Sequence, residues 1–392
     1  MNLDLIQQAL RDRKLGGWLF CDFHNRDHLA YRILGLDSSK MTTRRWFYFI
    51  PAKGEPRRLV HSVEKFKLEA LPGSKTVYLP WEQLHASLKK MLGPKKTIAM
   101  QYSPKNNIPY VSMVDAGIVE LVKSFGHKVV SSADLVQMFE SLISEEGYRL
   151  HKETGVLVDR IRAEAFEQIR SGIAAGTTLT EYDVQQFIMK RFAESGLVTD
   201  DPPIVGTNEH PADPHFECTS ANARPFKHSD TVLIDMWAKK NVPGAIYYDI
   251  TWVGYIGSEP SQLYREIFGV VKNARNAAIQ LVTDKFSKGQ SCYGWQVDDA
   301  CRAVVKKAGY GKYFVHRTGH SIGEEVHGNG VNIDNLETKD ERQIMRGSLF
   351  SIEPGIYLED EKMAVRTEVN MFVRHDGVPE VTGEMQEELV RI

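Results

Sequence analysis

The sequence predicts an α+β protein in two parts: an N-terminal α/β domain over residues 1–142 and a mixed domain of helices and strands over 143–392. Three observations lead there. Short apolar strands and amphipathic helices interleave through roughly the first 140 residues, the pattern of a sheet covered by helices. From about 134 to 170 apolar residues recur at near-helical spacing instead, which places a change of organisation near 140–146. Beyond 230, four apolar strand-like segments each carry one carboxylate. A chain of 392 residues has room for about two domains, each with its own core.

Taken in order, Leu3 to Leu15 reads as a short amphipathic helix ended by Gly16-Gly17. Trp18-Leu-Phe-Cys21 and Trp46-Phe-Tyr-Phe-Ile50 read as buried strands, the second closed by Pro51. Thr97-Ile-Ala-Met100 and Val129-Val130 are further short strands, with helical patterns at 82–92 and 111–126 between them. Arg44-Arg45 reads as a solvated flank of the Trp46 strand. No cluster of acids and histidines occurs in this part, so it predicts no reaction centre of its own. Leu135, Phe139, Leu142 and Ile143, then Leu150, Val156, Ile161, Phe166 and Ile169, predict two consecutive helices. Thr180 with Asp183 predicts a capped helix reaching about Ala193. Residues 200–230 are rich in Pro, Asn, Asp and His and read as a long loop.

The bulk properties exclude several classes. Hydrophobic residues make up 42% and charged residues 26%, the usual balance of a globular chain. A formal net charge of −2 gives no electrostatic ground for nucleic-acid binding. No apolar run reaches the roughly 18 residues of a membrane-spanning helix. The opening Met-Asn-Leu-Asp-Leu-Ile lacks the basic-then-apolar plan of a signal peptide. Cys21, Cys218, Cys292 and Cys301 are scattered without metal-ligand spacing. The expectation is a reduced, cytoplasmic protein.

The chemistry lies in the second part. Thr231-Val-Leu-Ile-Asp235-Met-Trp237, Ala245-Ile-Tyr-Tyr-Asp249-Ile-Thr-Trp-Val253, Ser348-Leu-Phe-Ser-Ile-Glu353 and Ala364-Val-Arg-Thr-Glu368-Val-Asn-Met-Phe-Val373 are strand patterns that each contain an acid. An ionised carboxylate buried without a partner costs several kcal/mol even after relaxation. Arg366 can serve one of the four, but the strands offer no separate cation for each. A shared divalent metal centre removes the difficulty. Between the second and third acids, His316-Arg-Thr-Gly-His320-Ser-Ile-Gly-Glu-Glu-Val-His327 places three histidines within twelve positions, interrupted by Gly319 and Gly323. That glycine content argues for an irregular loop bringing imidazoles together rather than a helix. Oxygen-rich sets with one or two imidazoles suit Mn, Co, Zn or Fe, and four carboxylates exceed what one tetrahedral ion takes, so a two-metal site follows.

With Asp235, Asp249, His320, Glu353 and Glu368 in this chain order, the sequence resembles the pita-bread metallopeptidases. The prolidase and Xaa-Pro aminopeptidase branch is the nearest in its motifs, through His316-Arg-Thr-Gly-His320-Ser-Ile-Gly, Glu353-Pro-Gly-Ile-Tyr357 and Val365-Arg-Thr-Glu368. The resemblance covers the whole chain and implies a creatinase-like N-terminal α/β domain followed by a pita-bread catalytic domain. It implies a dinuclear centre, Mn first with Co or Zn as alternatives, in which Asp235 binds one ion, Asp249 and Glu368 bridge, and His320 and Glu353 bind the other. It further implies Glu353 as the acid–base carboxylate, and His215, His316 and His327 as active-site histidines contacting substrate. Arg366 would support the last ligand and help bind substrate. The implied activity is hydrolysis of the Xaa-Pro bond in dipeptides or short peptides, by a homodimer.

The sequence departs from that pattern in places. Asp235 and Asp249 are fourteen positions apart, a longer hairpin than usual, with Lys239-Lys-Asn-Val-Pro-Gly244 as a turn extension. Trp237 and Trp252 stand where smaller or polar residues are usual and are expected to narrow the pocket. Gly328 follows His327 where a glutamate is common. Lys339 or Arg342 is the candidate base for a free substrate carboxylate. Two other readings stand beside the peptidase: a creatinase-like amidinohydrolase working without metal, and an inert peptide-binding scaffold. Both typically lose ligands that this chain keeps. Methionine aminopeptidase is disfavoured by the large N-terminal part.

Overall fold

Alternation along two strands organises the first of the two compact units, Met1–Ser141 and Leu142–Ile392, of the computed structural model, which describes residues 1–213 and 216–392. In the first unit α1 (Leu3–Asp12), β1 (Gly17–Asp22), α2 (His28–Leu34), β2 (Trp46–Pro51), β3 (Arg57–His61), β4 (Ser74–Tyr78), α3 (Trp81–Leu92), β5 (Thr97–Met100), α4 (Ala116–Ser124), β6 (Lys128–Ser131) and α5 (Ala133–Val136) follow one another. The strands form one mixed sheet in the order β4-β3-β2-β1-β5-β6. Trp18, Phe20, Trp46, Tyr48 and Ile50 pack on one face with residues of α1, α2 and α5. Leu19, Phe47 and Phe49 pack on the other with residues of α3 and α4. Because helices cover both faces, β1 and β2 read as unbroken apolar runs rather than alternating ones. Arg44 and Arg45 are exposed, as read. The expected helix at 111–126 is shorter, because 104–111 form two short 3₁₀ turns. The sequence reading passed over α2, β3 and β4; β4 is a largely exposed edge strand without an apolar signature.

The second unit begins with α6 (Glu145–Ala174) and α7 (Glu181–Glu194). The two helices expected across 134–170 are in fact the four-residue α5 and the thirty-residue α6, which starts on a Ser144 cap. Thr180 and Asp183 form the reciprocal cap of α7, as their spacing predicts. Next come β7 (Leu197–Val198), β8 (Ile204–Thr207), β9 (Thr231–Lys240), β10 (Tyr248–Tyr255), α8 (Gln262–Ser287) and α9 (Gly294–Lys307). The region read as loop therefore holds a strand, β8, paired to β9. The chain closes with β11 (Leu349–Ile352), β12 (Gly355–Leu358), β13 (Met363–Arg366), β14 (Val369–Val373), β15 (Pro379–Thr382) and β16 (Val390–Arg391).

The β9–β10 hairpin is the centre of this unit, flanked by β16, β7 and β8. Ile234, Met236, Ala238, Tyr248 and Ile250 pack on residues of α6 and α7. A second core joins α8 and α9 to β11 through β14. Cys218, Cys292 and Cys301 are buried free thiols, each pushed well up by burial, Cys301 to about 12. Such thiols are packing residues rather than nucleophiles.

One buried acid of this unit is structural. Glu181 is fully buried at the first turn of α7. Its two oxygens accept from Thr207 N (2.7 Å), Thr207 Oγ1 (3.0 Å), Arg224 N (2.8 Å) and His210 Nδ1 (2.9 Å). It thereby ties both ends of the 207–224 stretch to the helix. Glu181→Ala leaves these donors unpaired, at about 1–3 kcal/mol for each buried group left unsatisfied. Urea unfolding should show a loss of at least about 3 kcal/mol, and an unchanged midpoint would contradict this role.

Candidate metal centre

The hairpin register brings the first two acids together. Thr251 lies opposite Asp235, and Asp249 lies opposite Trp237. Directly opposed residues share a face, and so do residues two apart along a strand. Asp235, Thr251, Asp249 and Trp237 therefore form one patch on the face turned away from α6 and α7. The long turn leaves this register intact.

The third and fourth acids arrive at strand ends. Glu353 follows β11, and its N–H donates to Thr318 O at 2.7 Å. Glu368 sits between β13 and β14, and its N–H donates to Thr251 O at 3.0 Å. Thr251 Oγ1 donates to Glu368 Oε2 (2.8 Å) and accepts from Arg366 Nε (3.1 Å). Asp235, Asp249 and Glu368 are buried, and Glu353 is half-buried. None lies on a solvated strand face.

His320 is delivered by the irregular loop the glycines predicted. Gly319 and Ile333 form a bridge, and Ser321 bridges Phe350 of β11. A Cβ on Gly319 would lie 1.9 Å from the Ser351 carbonyl oxygen, so only glycine allows the loop to sit this close. Ser351 Oγ accepts from His320 N (3.0 Å) and donates to Glu353 Oε1 (2.9 Å). His320 Nδ1 lies 3.1 Å from Ser321 O, which can only accept. Nδ1 therefore carries the proton, and the bare Nε2 lone pair faces Asp249 Oδ2 at 3.5 Å and Glu353 Oε1 at 3.3 Å. A lone pair aimed at two carboxylates is repulsive unless a cation sits between them. A carbonyl-held Nδ1–H is also how metal-binding imidazoles are oriented.

The oxygens tell the same story. Asp235 Oδ1, Asp249 Oδ1 and Glu368 Oε1 are buried and have no hydrogen-bond partner among the described residues. Asp249, His320 and Glu368 each offer a ligand atom within 4.8 Å of the others. Burial, then repulsion from Glu353, drives Asp249 well above the ordinary carboxylate range. Burial, then Asp249, does the same to Glu368. Asp235 rises to about 7 through burial, with Arg366 opposing. Glu353 goes the other way: burial raises it, but His320, His316 and Arg366 outweigh that and hold it below its usual value. One carboxylate of the four is thus kept ionised by its neighbours, while the others need a cation to be so. Oxygen donors with one imidazole fit hard or borderline divalent ions.

The remaining predicted residues fall in three places. Arg366 is buried under the centre, with Nη2 paired to Asp235 and Nη1 donating to Tyr357 Oη at 2.8 Å. Tyr357 Oη in turn meets His316 Nε2 at 2.7 Å, while His316 Nδ1 donates to Arg317 O at 2.7 Å. Both His316 nitrogens are therefore engaged, and burial lowers its pKa to about 4. His327 is exposed, its ring 4.4 Å from that of His320. His215 lies outside the described residues.

Two expectations are corrected. Trp252 does not narrow this pocket: it is opposite Ile234 on the other face of the hairpin, under the Arg162 guanidinium at 3.6 Å. Arg342 is not available to a substrate carboxylate, because it is buried and bound to Asp340 at 2.6 Å. Lys339 is half-exposed and paired with Glu341 at 3.0 Å. Residues the sequence reading missed are Tyr357's contact role and the Thr251 and Ser351 hydroxyls that orient Glu368, His320 and Glu353. Their nearness to the acids in sequence was the available signal. A deeper support is the buried Asp298–Arg302 pair of α9 (2.9 Å). Arg302 donates to Phe314 O and His316 O, and Asp298 accepts from Thr318 N and Oγ1, so the pair grips the loop before His320.

Comparison with known proteins agrees with this geometry. The profile described as "Metallopeptidase family M24" matches residues 149–375. The chain is 28% identical over 270 residues to a probable dipeptidase PepE of Mycobacterium tuberculosis, covering 69% of this chain and 66% of that one. It is 28% identical over 235 residues to an Xaa-Pro dipeptidase of Lactobacillus helveticus, covering 60% and 57%. The chain thus spans just under two thirds of the first relative and less of the second. Among solved structures, dipeptidase PepE from Mycobacterium ulcerans superposes with a TM-score of 0.70 at 24% identity, covering 100% of this chain and 96% of that one. That likeness gives the fold: a two-domain architecture of mixed helix and sheet with a pita-bread domain.

The raised acids fix the sign of a pH effect. Asp235 titrates near 7 folded and about 3.9 unfolded, so between those values the folded state binds the extra proton. The stability this confers on metal-free protein is full below about pH 4 and is lost as pH rises through 7. Asp249 and Glu368 add in the same direction. Thermal melts of chelator-treated protein should therefore fall between pH 5 and 8, and Mn(II) should reverse the fall while releasing protons. A flat profile unaffected by Mn(II) would count against a cation-demanding centre.

Proposed function

Since the chain belongs to metallopeptidase family M24, we propose that it is a metal-dependent exopeptidase that hydrolyses the Xaa-Pro bond of dipeptides or short peptides. The observation that carries this is the convergence of three unpartnered carboxylate oxygens and the His320 lone pair. The residues that would hold the ions are Asp235, Asp249, His320, Glu353 and Glu368; manganese is the first choice, with cobalt or zinc as alternatives. A pair of divalent ions so held supplies Lewis acidity, lowering the pKa of a shared water and polarising the scissile carbonyl.

This chain's own residues do the rest. Glu353, half-buried beside His320, accepts the proton of the attacking water and delivers it to the leaving amine. His327, exposed beside His320, reaches the substrate carbonyl and stabilises the oxyanion. Arg366 fixes Asp235, and through Tyr357 it also fixes the His316 ring. Substrate contact by His316 would require Tyr357 to turn aside. His215 is included among the proposed substrate-binding histidines from the sequence resemblance alone. Trp237, opposite Asp249, is proposed as a wall of the pocket. A homodimer and a cytoplasmic location are part of the same reading; among the described residues no helix is long and apolar enough to cross a membrane.

The Lactobacillus helveticus relative, named an Xaa-Pro dipeptidase, supports the choice of bond. Retention of every proposed ligand separates the reading from amidinohydrolases and scaffolds of the same fold. Purified protein with Mn(II) should release proline from an Xaa-Pro dipeptide or the first residue from an Xaa-Pro-Xaa tripeptide. Metal-loaded protein inert on both would refute the assignment. Asp249→Ala should lower kcat by more than the roughly 100-fold that loss of a supporting residue costs, with the circular dichroism spectrum kept.

A further inference from the structure

The side of β10 away from β9 is a strand edge that is only partly paired. β16 covers Gly254 and Tyr255 alone. The outward backbone groups of Asp249, Thr251 and Val253 still need partners, because buried N–H and C=O groups are paired in nearly every fold. Two carboxamide side chains meet that need. Asn370 Oδ1 accepts from Asp249 N (3.2 Å), and its Nδ2 donates to Asp249 O (2.7 Å). Gln386 repeats the arrangement four residues on: Oε1 accepts from Val253 N (3.0 Å), and Nε2 donates to Val253 O (2.6 Å). Between them Thr251 O is taken by Glu368 N. Both amides are almost wholly buried. Each imitates a peptide group, so the edge is closed as though a neighbouring strand lay there.

The two are alike in their bonds to β10, Gln386 Nε2 also donating to Glu388 O (2.9 Å), and unlike in place. Asn370 is the second residue of β14, directly opposite Ser351 of β11. Opposed residues share a face, and Ser351 is the residue that orients His320 and Glu353. Asn370 is also two positions after Glu368. The Ser351–Asn370 pair thus ties three arms of the centre to one rung of a single sheet: the His320 loop, the Glu353 strand end, and Asp249 on the other sheet. Gln386 holds the same strand from a tail segment that carries no ligand.

We infer that Asn370 is a positioning residue that sets the separation of Asp249 from Glu368 and His320, and hence the affinity for divalent metal. This rests on the metal-centre reading above. The test compares Asn370→Leu with Gln386→Leu, since each removes two hydrogen bonds to β10. Both should lower the melting temperature of the full-length protein. Mn(II) binding, measured by titration calorimetry on chelator-treated protein, should weaken at least about tenfold in Asn370→Leu and less than about twofold in Gln386→Leu. Equal weakening in both, or wild-type binding in Asn370→Leu, would overturn the inference while leaving the centre standing. Wild-type protein that takes up no Mn(II) would overturn the centre and the inference together. If Asn370→Leu fails to fold, Asn370→Ser, which retains a hydroxyl donor, gives the same comparison; wild-type affinity there overturns the inference equally.

Discussion

Like charges confined together without water are the constraint from which the rest of this structure follows. Four carboxylates, three buried and one half-buried, approach one another, and among the described residues Arg366 is the permanent cation paired within them. Coulomb repulsion at such separations exceeds the small net stability of a fold unless positive charge or protons intervene. The surrounding elements read as devices for holding the acids in spite of this. The hairpin fixes two of them by register, Thr251 fixes a third by a hydrogen bond, and Ser351 fixes the fourth. Glycine at 319 lets the histidine loop press against β11 closely enough to bring an imidazole into the same space.

Supporting contacts come from long distances in the chain. Arg366 and Asp235 are far apart in sequence, as are Asp249 and Asn370, and α9 steadies the histidine loop through a buried ion pair. A buried pair such as Asp298–Arg302 adds little net stability. Its value lies in direction: Arg302 donates to the carbonyls of Phe314 and His316, and Asp298 accepts from Thr318 N and Oγ1 and from Asn335 N. The loop that presents His320 is therefore held by charge-assisted bonds where its own irregular backbone has few regular ones.

Much of this was legible in the chain. Acids inside apolar runs betray themselves, because β9 and β10 are too apolar to leave Asp235 and Asp249 unexplained. Clustered glycines flagged the loop around His320 as irregular. Other features left no trace. β4 is exposed and short, so it lacks periodicity. Trp252 and Trp237 look equivalent in sequence, and only the register puts Trp237 on the face of Asp235 and Asp249 and Trp252 beneath Arg162 on the other. Arg342 reads as a surface base until Asp340, two residues away, is seen to bury with it. Asn370 and Gln386 were invisible for a physical reason: a carboxamide in a strand or a tail looks like any polar residue facing water, and its partner backbone has no sequence at all.

Arg366 carries a consequence for how the protein matures. Its guanidinium reaches Asp235, Thr251 and Tyr357 at once. It is a fixed countercharge already in place when the polypeptide leaves the ribosome. A newly made chain therefore need not wait for scarce ions to collapse around them, as small zinc-nucleated domains must. It can assemble first, with protons on Asp249 and Glu368, whose pKa values burial raises, and take up divalent ions afterwards.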